Sequence, residues 1–252
     1  MKGPPKSGEE AQPARRAAPV VAAVIPCLDE EAAIAAVVST VLAHGVNEVV
    51  VVDGGSRDQT AAEAAAAGAR VVAEPRRGYG RAIQTGIAAT RRDADILVFL
   101  DGDGSDPAEL VAALIAPIVS DQADFVLGSR VRGAREPGSL SPPQLAAAHI
   151  GNLLLRWTYG ARFSDLSPFR AIRRDTLERL GMCDLTYGWN LEMLMRVAAA
   201  NLRAREVPVG QRRRTGGQSK VSGNVIAGIK AACVMGATFV RLAIHLRNER
   251  RR

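Results

Sequence analysis

From residue 20 onward, short apolar runs alternate with longer segments in which apolar residues recur at helical spacing. Residues 20–25 are apolar and stop at Pro26, which predicts a first buried strand. Residues 48–52, 70–73, 95–100 and 124–128 repeat the pattern and predict strands two to five. Helices are expected to about Ala43, over 60–67, over 81–90 and over 108–119. The punctuation agrees. His44-Gly45 and Gly68 stop two of these helices, Asp29 is placed to cap the first, and Asp58 or Ser56 to cap the second. Pro107 stands at a first helical position. Strands that are apolar at successive residues are buried on both faces. The alternation therefore predicts an α/β domain, with a mostly parallel central sheet between two layers of helices.

The second half is less regular. It reads as a polar loop over 130–143, a helix over 144–159, a strand over 169–172, an amphipathic helix over 189–200 and a last strand over 204–209. A basic, glycine-containing loop follows at 211–223. Residues 1–18 are rich in Pro, Gly, Lys, Arg and Glu without apolar period, and are expected to be a disordered tail. The folded domain is then 19–222, with 223–252 forming an amphipathic helix and basic tail. Lys230, Arg241 and His245 interrupt the apolar stretch 225–246. It falls short of the about 20 uninterrupted apolar residues that a membrane span needs, and reads as a helix lying on a membrane or on a partner.

Charge sharpens this picture. The chain carries a net charge of +7, concentrated at Arg212, Arg213 and Arg214 and again at Arg247, Arg250, Arg251 and Arg252. Such clusters attract phosphate, whether on nucleic acid, a lipid headgroup or a phosphorylated substrate. Nucleic acid is disfavoured, because aromatic residues are only 4% and no known binding module is present. Three scattered cysteines, Cys27, Cys183 and Cys233, show no metal spacing, and residues 1–18 lack the apolar centre of a signal peptide. A reducing, cytoplasmic setting is expected. The oligomeric state stays open, a homo-oligomer included.

The most informative chemistry follows the fourth strand, where five apolar residues run into Asp101-Gly102-Asp103. Ligands of open α/β sheets bind at the carboxyl ends of strands. Residues i and i+2 of an extended segment share a face, so the two carboxylates point the same way and repel unless a cation joins them. Oxygen-only ligands suit Mg²⁺ or Mn²⁺ holding a diphosphate. Asp-Gly pairs also make ordinary turns. An EF-hand is excluded, because its sixth and twelfth positions would here be Asp106 and Ala112 in place of Gly and Glu. A dinucleotide-binding dehydrogenase is disfavoured too, since Pro26-Cys27-Leu28-Asp29-Glu30 stands where its glycine-rich turn belongs. Asp29-Glu30 and Asp53 end the first and second strands, so these acids converge on the same crevice.

Seven motifs in this order resemble the GT-A-fold glycosyltransferases of family 2, specifically the polyprenyl-phosphate (dolichyl-phosphate) mannose or glucose synthases. They are Ile25-Pro26-Cys27-Leu28-Asp29-Glu30-Glu31, Val51-Val52-Asp53-Gly54-Gly55-Ser56-Arg57-Asp58, Gly78-Tyr79-Gly80-Arg81-Ala82, Asp101-Gly102-Asp103, Leu127-Gly128-Ser129-Arg130, Asp165-Leu166-Ser167-Pro168-Phe169-Arg170 and Gly217-Gln218-Ser219-Lys220. The chain departs from the family pattern at three places. Gly54 replaces a usual second acid, Cys27-Leu28-Asp29 replaces Thr-Tyr-Asn, and Ser105-Asp106 replaces a polar-Pro or His-Pro pair, which leaves the third metal ligand open.

The resemblance implies a GT-A, Rossmann-like three-layer fold and transfer of a hexose from GDP-mannose or UDP-glucose to a polyprenyl phosphate. It implies that Pro26, Leu28, Glu30, Asp53, Gly80 and Gly102 hold the nucleotide sugar, and that Asp101 and Asp103 hold metal and diphosphate. Arg130, Arg213, Arg214, Ser219 and Lys220 would meet donor or acceptor phosphates. Asp103, Arg130, Asp165 and Glu192 are the catalytic candidates. An acceptor phosphate is already ionised and needs no strong base, which accords with only three histidines, His44, His149 and His245, all in or at the ends of predicted helices. A hydroxyl acceptor, soluble or on a sugar, would need a carboxylate base, and Asp165 or Glu192 are the candidates. Inversion at the anomeric carbon and peripheral attachment to the inner face of the cell membrane complete the expectation.

Overall fold

The computed structural model describes residues 18–215 and 236–247. Seven strands form one sheet: β1 (Val21–Cys27), β2 (Glu48–Asp53), β3 (Arg70–Ala73), β4 (Ile96–Phe99), β5 (Phe125–Ser129), β6 (Arg170–Arg173) and β7 (Ala204–Pro208). Their order is β3-β2-β1-β4-β6-β5-β7. β1 pairs in parallel with both β2 and β4, and β5 with β7. β6 runs antiparallel to both of its neighbours. The expected mostly parallel sheet is present, with one reversed strand in its middle.

Successive strand residues face opposite helical layers, which is why β1, β2, β4 and β5 are apolar at nearly every position. Val49 and Val51 join the core beneath α1 (Glu31–Ala43) and α4 (Val111–Val119), with Ile34, Val38, Leu114 and Ile118. Val50 and Val52 join the opposite core beneath α3 (Tyr79–Ala89), α5 (Pro142–Tyr159) and α7 (Trp189–Ala199). There Trp189 and Phe99 are fully buried and meet edge to face, with ring centroids 5.1 Å apart. Truncating either ring to Ala is worth about 3–5 kcal/mol of stability. Two seven-residue helices, α2 (Thr60–Ala66) and α6 (Arg174–Leu180), complete the named set.

Several local expectations change. Asp29 does not cap α1: its φ is +56° and Glu30 takes the cap position. The Asp29 carboxylate instead accepts the Arg57 backbone N–H at 2.8 Å, while Asp58 accepts those of Glu31 and Thr60. Pro107 precedes a short 3-10 turn, Ala108–Leu110, before α4 begins. The C-terminal helix is described over 236–247, and its Phe239, Leu242 and Leu246 are buried in the core beside α7. It is therefore docked on the domain by that face, leaving Val240 and Ile244 exposed. The tail 1–17, residues 216–235 and the end of the chain lie outside the described residues, and so do Ser219 and Lys220.

Candidate active site

The carboxyl ends of β1, β2 and β4 open into one cavity of about 640 Å³. Pro26, Leu28, Glu30 and Gly54 line one part of it, Asp101, Gly102 and Asp103 its base, and Arg76, Arg77, Arg130, Arg213 and Arg214 its remaining sides. The strand ends supply the acids and the connecting loops supply the cations.

The acids are held in place by short-range turns. Asp103 accepts the Ser105 N–H at 2.9 Å, and the Asp101 N–H donates to Asp106 at 3.1 Å. The Tyr79 hydroxyl reaches Asp101 at 3.4 Å. Asp103 and Asp106 are buried, and Asp106 Oδ1 has no hydrogen-bond partner. Burial first, then the charge of Asp103, raises the pKa of Asp101; burial and then Asp101 push Asp106 up to about 8. Like charges are thus crowded in a low-dielectric site, a condition that a cation relieves. Among the described residues no three His, Cys, Asp or Glu side chains are grouped to hold a metal by themselves. A divalent ion seated on Asp101 and Asp103 would complete its shell with phosphate oxygens and water, the habit of Mg²⁺. The donor set therefore fits Mg²⁺ or Mn²⁺.

Arg130 enters the cavity on a fixed stem. Its Nε and Nη2 meet Asp165 at 2.8 and 2.7 Å, and its backbone N–H donates to the same carboxylate at 2.9 Å. Asp165 is fully buried and also accepts the Leu166 N–H, so it orients Arg130 and does not itself line the cavity. Glu192 does not line it either. It is fully buried, pairs with Arg196 at 2.8 Å, and accepts the N–H groups of Cys183 and Asp184. Neither carboxylate stands where a hydroxyl acceptor would be deprotonated.

Gly80 works by close approach. A Cβ there would stand 2.2 Å from the Asp184 carbonyl oxygen, and the Gly80 and Arg81 N–H groups donate to the carbonyls of Thr186 and Leu185. The loop that Glu192 holds therefore caps α3 and seats Tyr79 beside Asp101. Gly102 is similar, since a Cβ would lie 2.3 Å from Cys27 Sγ. Asp53 is not among the residues that line the cavity, and its carboxylate accepts the Ser56 hydroxyl at 2.5 Å. Arg213 is tied to Glu136 and to the Pro137 carbonyl. Arg214 lies 2.5 Å from Asp103 and 3.8 Å from Glu30. Gln211 bridges in parallel to Arg135, so the basic segment and the 134–138 loop share backbone hydrogen bonds.

Sequence reasoning missed Arg76, Arg77, Gln144, Asn190 and the burial of Asp106. It also missed Arg170, fully buried near the cavity floor, whose pKa burial lowers to about 10 and which donates to the carbonyls of Asn190 and Ser167. Arg76-Arg77, directly after β3, was a readable signal, since that strand ends along the same sheet edge.

A sheet of this order, with an Asp-Gly-Asp turn after the strand next to β1, is the GT-A glycosyltransferase fold. Glucosyl-3-phosphoglycerate synthase of Mycobacterium tuberculosis, solved in complex with Mn²⁺, UDP-glucose and phosphoglyceric acid, superposes with a TM-score of 0.68 at 25% identity, over 89% of this chain and 80% of that one. Residues 22–181 match Glycosyl transferase family 2, and the chain belongs to that family. It is 39% identical to an uncharacterized glycosyltransferase of Mycobacterium tuberculosis over 215 residues, 84% of this chain and 94% of that protein. It is also 32% identical to the dolichyl-phosphate hexose transferase of Haloferax volcanii over 201 residues, 78% of this chain and 84% of that protein. The expected fold, family and enzyme class are met.

Proposed function

We propose that this glycosyltransferase moves a hexose from GDP-mannose or UDP-glucose to the phosphate of a polyprenyl lipid, with Mg²⁺ or Mn²⁺ held by Asp101 and Asp103. One observation carries the reading: a single cavity sets this acid pair against five arginines, while Asp165 and Glu192 are both locked in buried ion pairs outside it. The cavity is equipped to neutralise two phosphate-bearing reactants and offers neither candidate base to a hydroxyl. The Haloferax relative supports a lipid phosphate as acceptor.

Bound metal would supply Lewis-acid neutralisation of the leaving diphosphate. The chain's own residues do the rest. Pro26, Leu28 and Glu30 form the wall available to base and ribose. Arg130, oriented by Asp165, offers a fixed positive charge to developing phosphate charge, and its geometry needs no rearrangement during the reaction. Arg213 and Arg214 line the same cavity and would meet the acceptor phosphate; Ser219 and Lys220, which lie outside the described residues, are assigned to that phosphate by the family resemblance alone. An ionised phosphate oxygen attacks opposite the leaving group, which inverts the anomeric carbon.

The glucosyl-3-phosphoglycerate synthase complex with phosphoglyceric acid favours a second reading, a soluble phosphorylated acceptor held by the same arginines. Transfer assays with each donor and Mn²⁺, offering polyprenyl phosphate in detergent or phosphoglycerate, separate the two. Product on the lipid alone supports the proposal. Product on phosphoglycerate alone replaces it with the second reading, and no product on either overturns both. No helix of the described residues is long and apolar enough to cross a membrane. The lipid acceptor is the ground on which this reading includes peripheral attachment to the inner membrane face.

A further inference from the structure

The solvent side of α5 is built the wrong way round for water. Its exposed positions include Ala146, Ile150, Leu153 and Trp157, a stripe at helical spacing, while Leu155 on the other side is buried in the core. Ile150 is 48% exposed, Leu153 42% and Trp157 80%. The cations are on the same side, with Arg156 and Arg162 both exposed. From Pro137 to Ser164 the sequence contains no Asp or Glu. A groove of about 470 Å³ continues the patch, lined by Leu145, Leu153 and the buried Phe163 and flanked by Arg156 and Arg162.

We propose that this face of α5 docks on the surface of an anionic lipid bilayer. Trp157, Leu153 and Ile150 enter the interface, and Arg156 and Arg162 meet lipid phosphates. Three observations single out this occupant. An apolar stripe whose charged neighbours are all cations has the composition of an interfacial helix. A tryptophan with this exposure suits the headgroup level, where amphipathic rings collect. The amino end of the same helix lies at the cavity, because Ser141 and Gln144 line both the start of α5 and the site. A lipid phosphate drawn from the bilayer would arrive beside Gln144, with its chain trailing along α5. This inference rests on the lipid-acceptor reading and adds a surface to it, separate from the C-terminal helix.

The test uses the full chain, flotation on phosphatidylcholine vesicles with and without phosphatidylglycerol, and tryptophan emission. The chain has two tryptophans, and Trp189 is fully buried, so a lipid-induced change reports Trp157. Recovery with anionic vesicles and a blue shift are expected, with recovery falling at least about tenfold in Leu153→Ser/Trp157→Ser and in Arg156→Glu/Arg162→Glu. All four residues are exposed, and unchanged circular dichroism verifies the fold. Transfer to polyprenyl phosphate in detergent is measured on the same variants. Its persistence at the wild-type rate separates loss of docking from failure of the enzymatic reading. Three outcomes overturn the proposal: undiminished flotation of both variants, a wild-type dimer that the Trp157 variant dissolves without any vesicle binding, or loss of detergent-phase transfer in the variants.

Discussion

Arg214 holds its Nε 2.5 Å from Asp103, the carboxylate assigned to the metal. The same guanidinium stands 3.8 Å from Glu30 on the opposite wall. A side chain from the basic segment thus neutralises the acid that a divalent ion would otherwise neutralise. Metal and Arg214 compete for one carboxylate, and an incoming phosphate gives Arg214 a second partner.

Arg214→Ala is therefore expected to tighten Mn²⁺ binding severalfold when no nucleotide is present, while lowering the transfer rate by about 10²-fold through loss of a charge-stabilising donor. Calorimetry with Mn²⁺ alone, beside initial rates with donor and acceptor, checks both halves. Weaker Mn²⁺ binding in the variant would refute the competition.

Asp103→Asn and Asp101→Asn are expected to abolish metal-dependent uptake of UDP or GDP, with the fold retained. Titration of nucleotide with and without Mn²⁺ reads this directly. Wild-type behaviour in both variants would remove the metal from these positions.

The Asp106 carboxyl gives a pH signature. Its folded pKa of about 8 lies above that of an unfolded aspartate, about 3.9. The native state then binds the proton more tightly, so this stabilisation is complete at acid pH and is lost as pH rises through about 8. Without metal, Tm should fall between about pH 4 and 8 and level off above that, and Asp106→Asn should flatten the slope. Thermal melts across that range decide it, and an Asn variant that keeps the full slope excludes Asp106 as its source.

Asp165→Ala strands the Arg130 guanidinium in a buried site. Removing one partner of such a pair costs about 3–5 kcal/mol, and transfer should fall with it because Arg130 loses its orientation. Urea unfolding and kcat together check this. Loss of activity with unchanged stability would instead make Asp165 a direct participant.

Gly80→Ala drives a methyl group into the Asp184 carbonyl, which is backbone and has little room to yield. Overpacking of this kind costs about 1–3 kcal/mol. The displaced loop carries Tyr187, which stacks on Tyr79 at 5.9 Å. Donor binding should therefore weaken along with stability, as measured by denaturant midpoint and nucleotide titration.

β1, β2, β4 and β5 were readable because burial on both faces leaves continuous apolar runs such as Val49–Val52, whereas β3, β6 and β7 are short and carry charged residues, so that they were read from their place in the alternation. The reversal of β6 was not, since strand direction depends on the crossover and not on the strand's residues. α6 was hidden by Arg174, Asp175, Glu178 and Arg179, whose charges mask a buried face of only Thr176, Leu177 and Leu180. Asp29 resembled a cap in type and position, yet its backbone turned left-handed to reach Arg57. Asp101 and Asp103 were legible from alternation alone. The resting partner of Asp103 was not, because Arg214 is 111 residues away in the chain (214 − 103). Glu192 carried a signal that could have been read: an acid among Leu191, Met193 and Leu194, with Arg196 one turn on, is the pattern of a buried ion pair.

Gln211 lies opposite Arg135, its N–H donating to the Ala134 carbonyl and its own carbonyl accepting the Glu136 N–H, and the Glu136 carboxylate accepts the Arg213 N–H. The two flaps on that side of the cavity are hemmed together along their backbones. Shifting either one would break those hydrogen bonds or carry its companion along, which ties Arg213 to the lip that Gly138 and Ser139 form on the cavity.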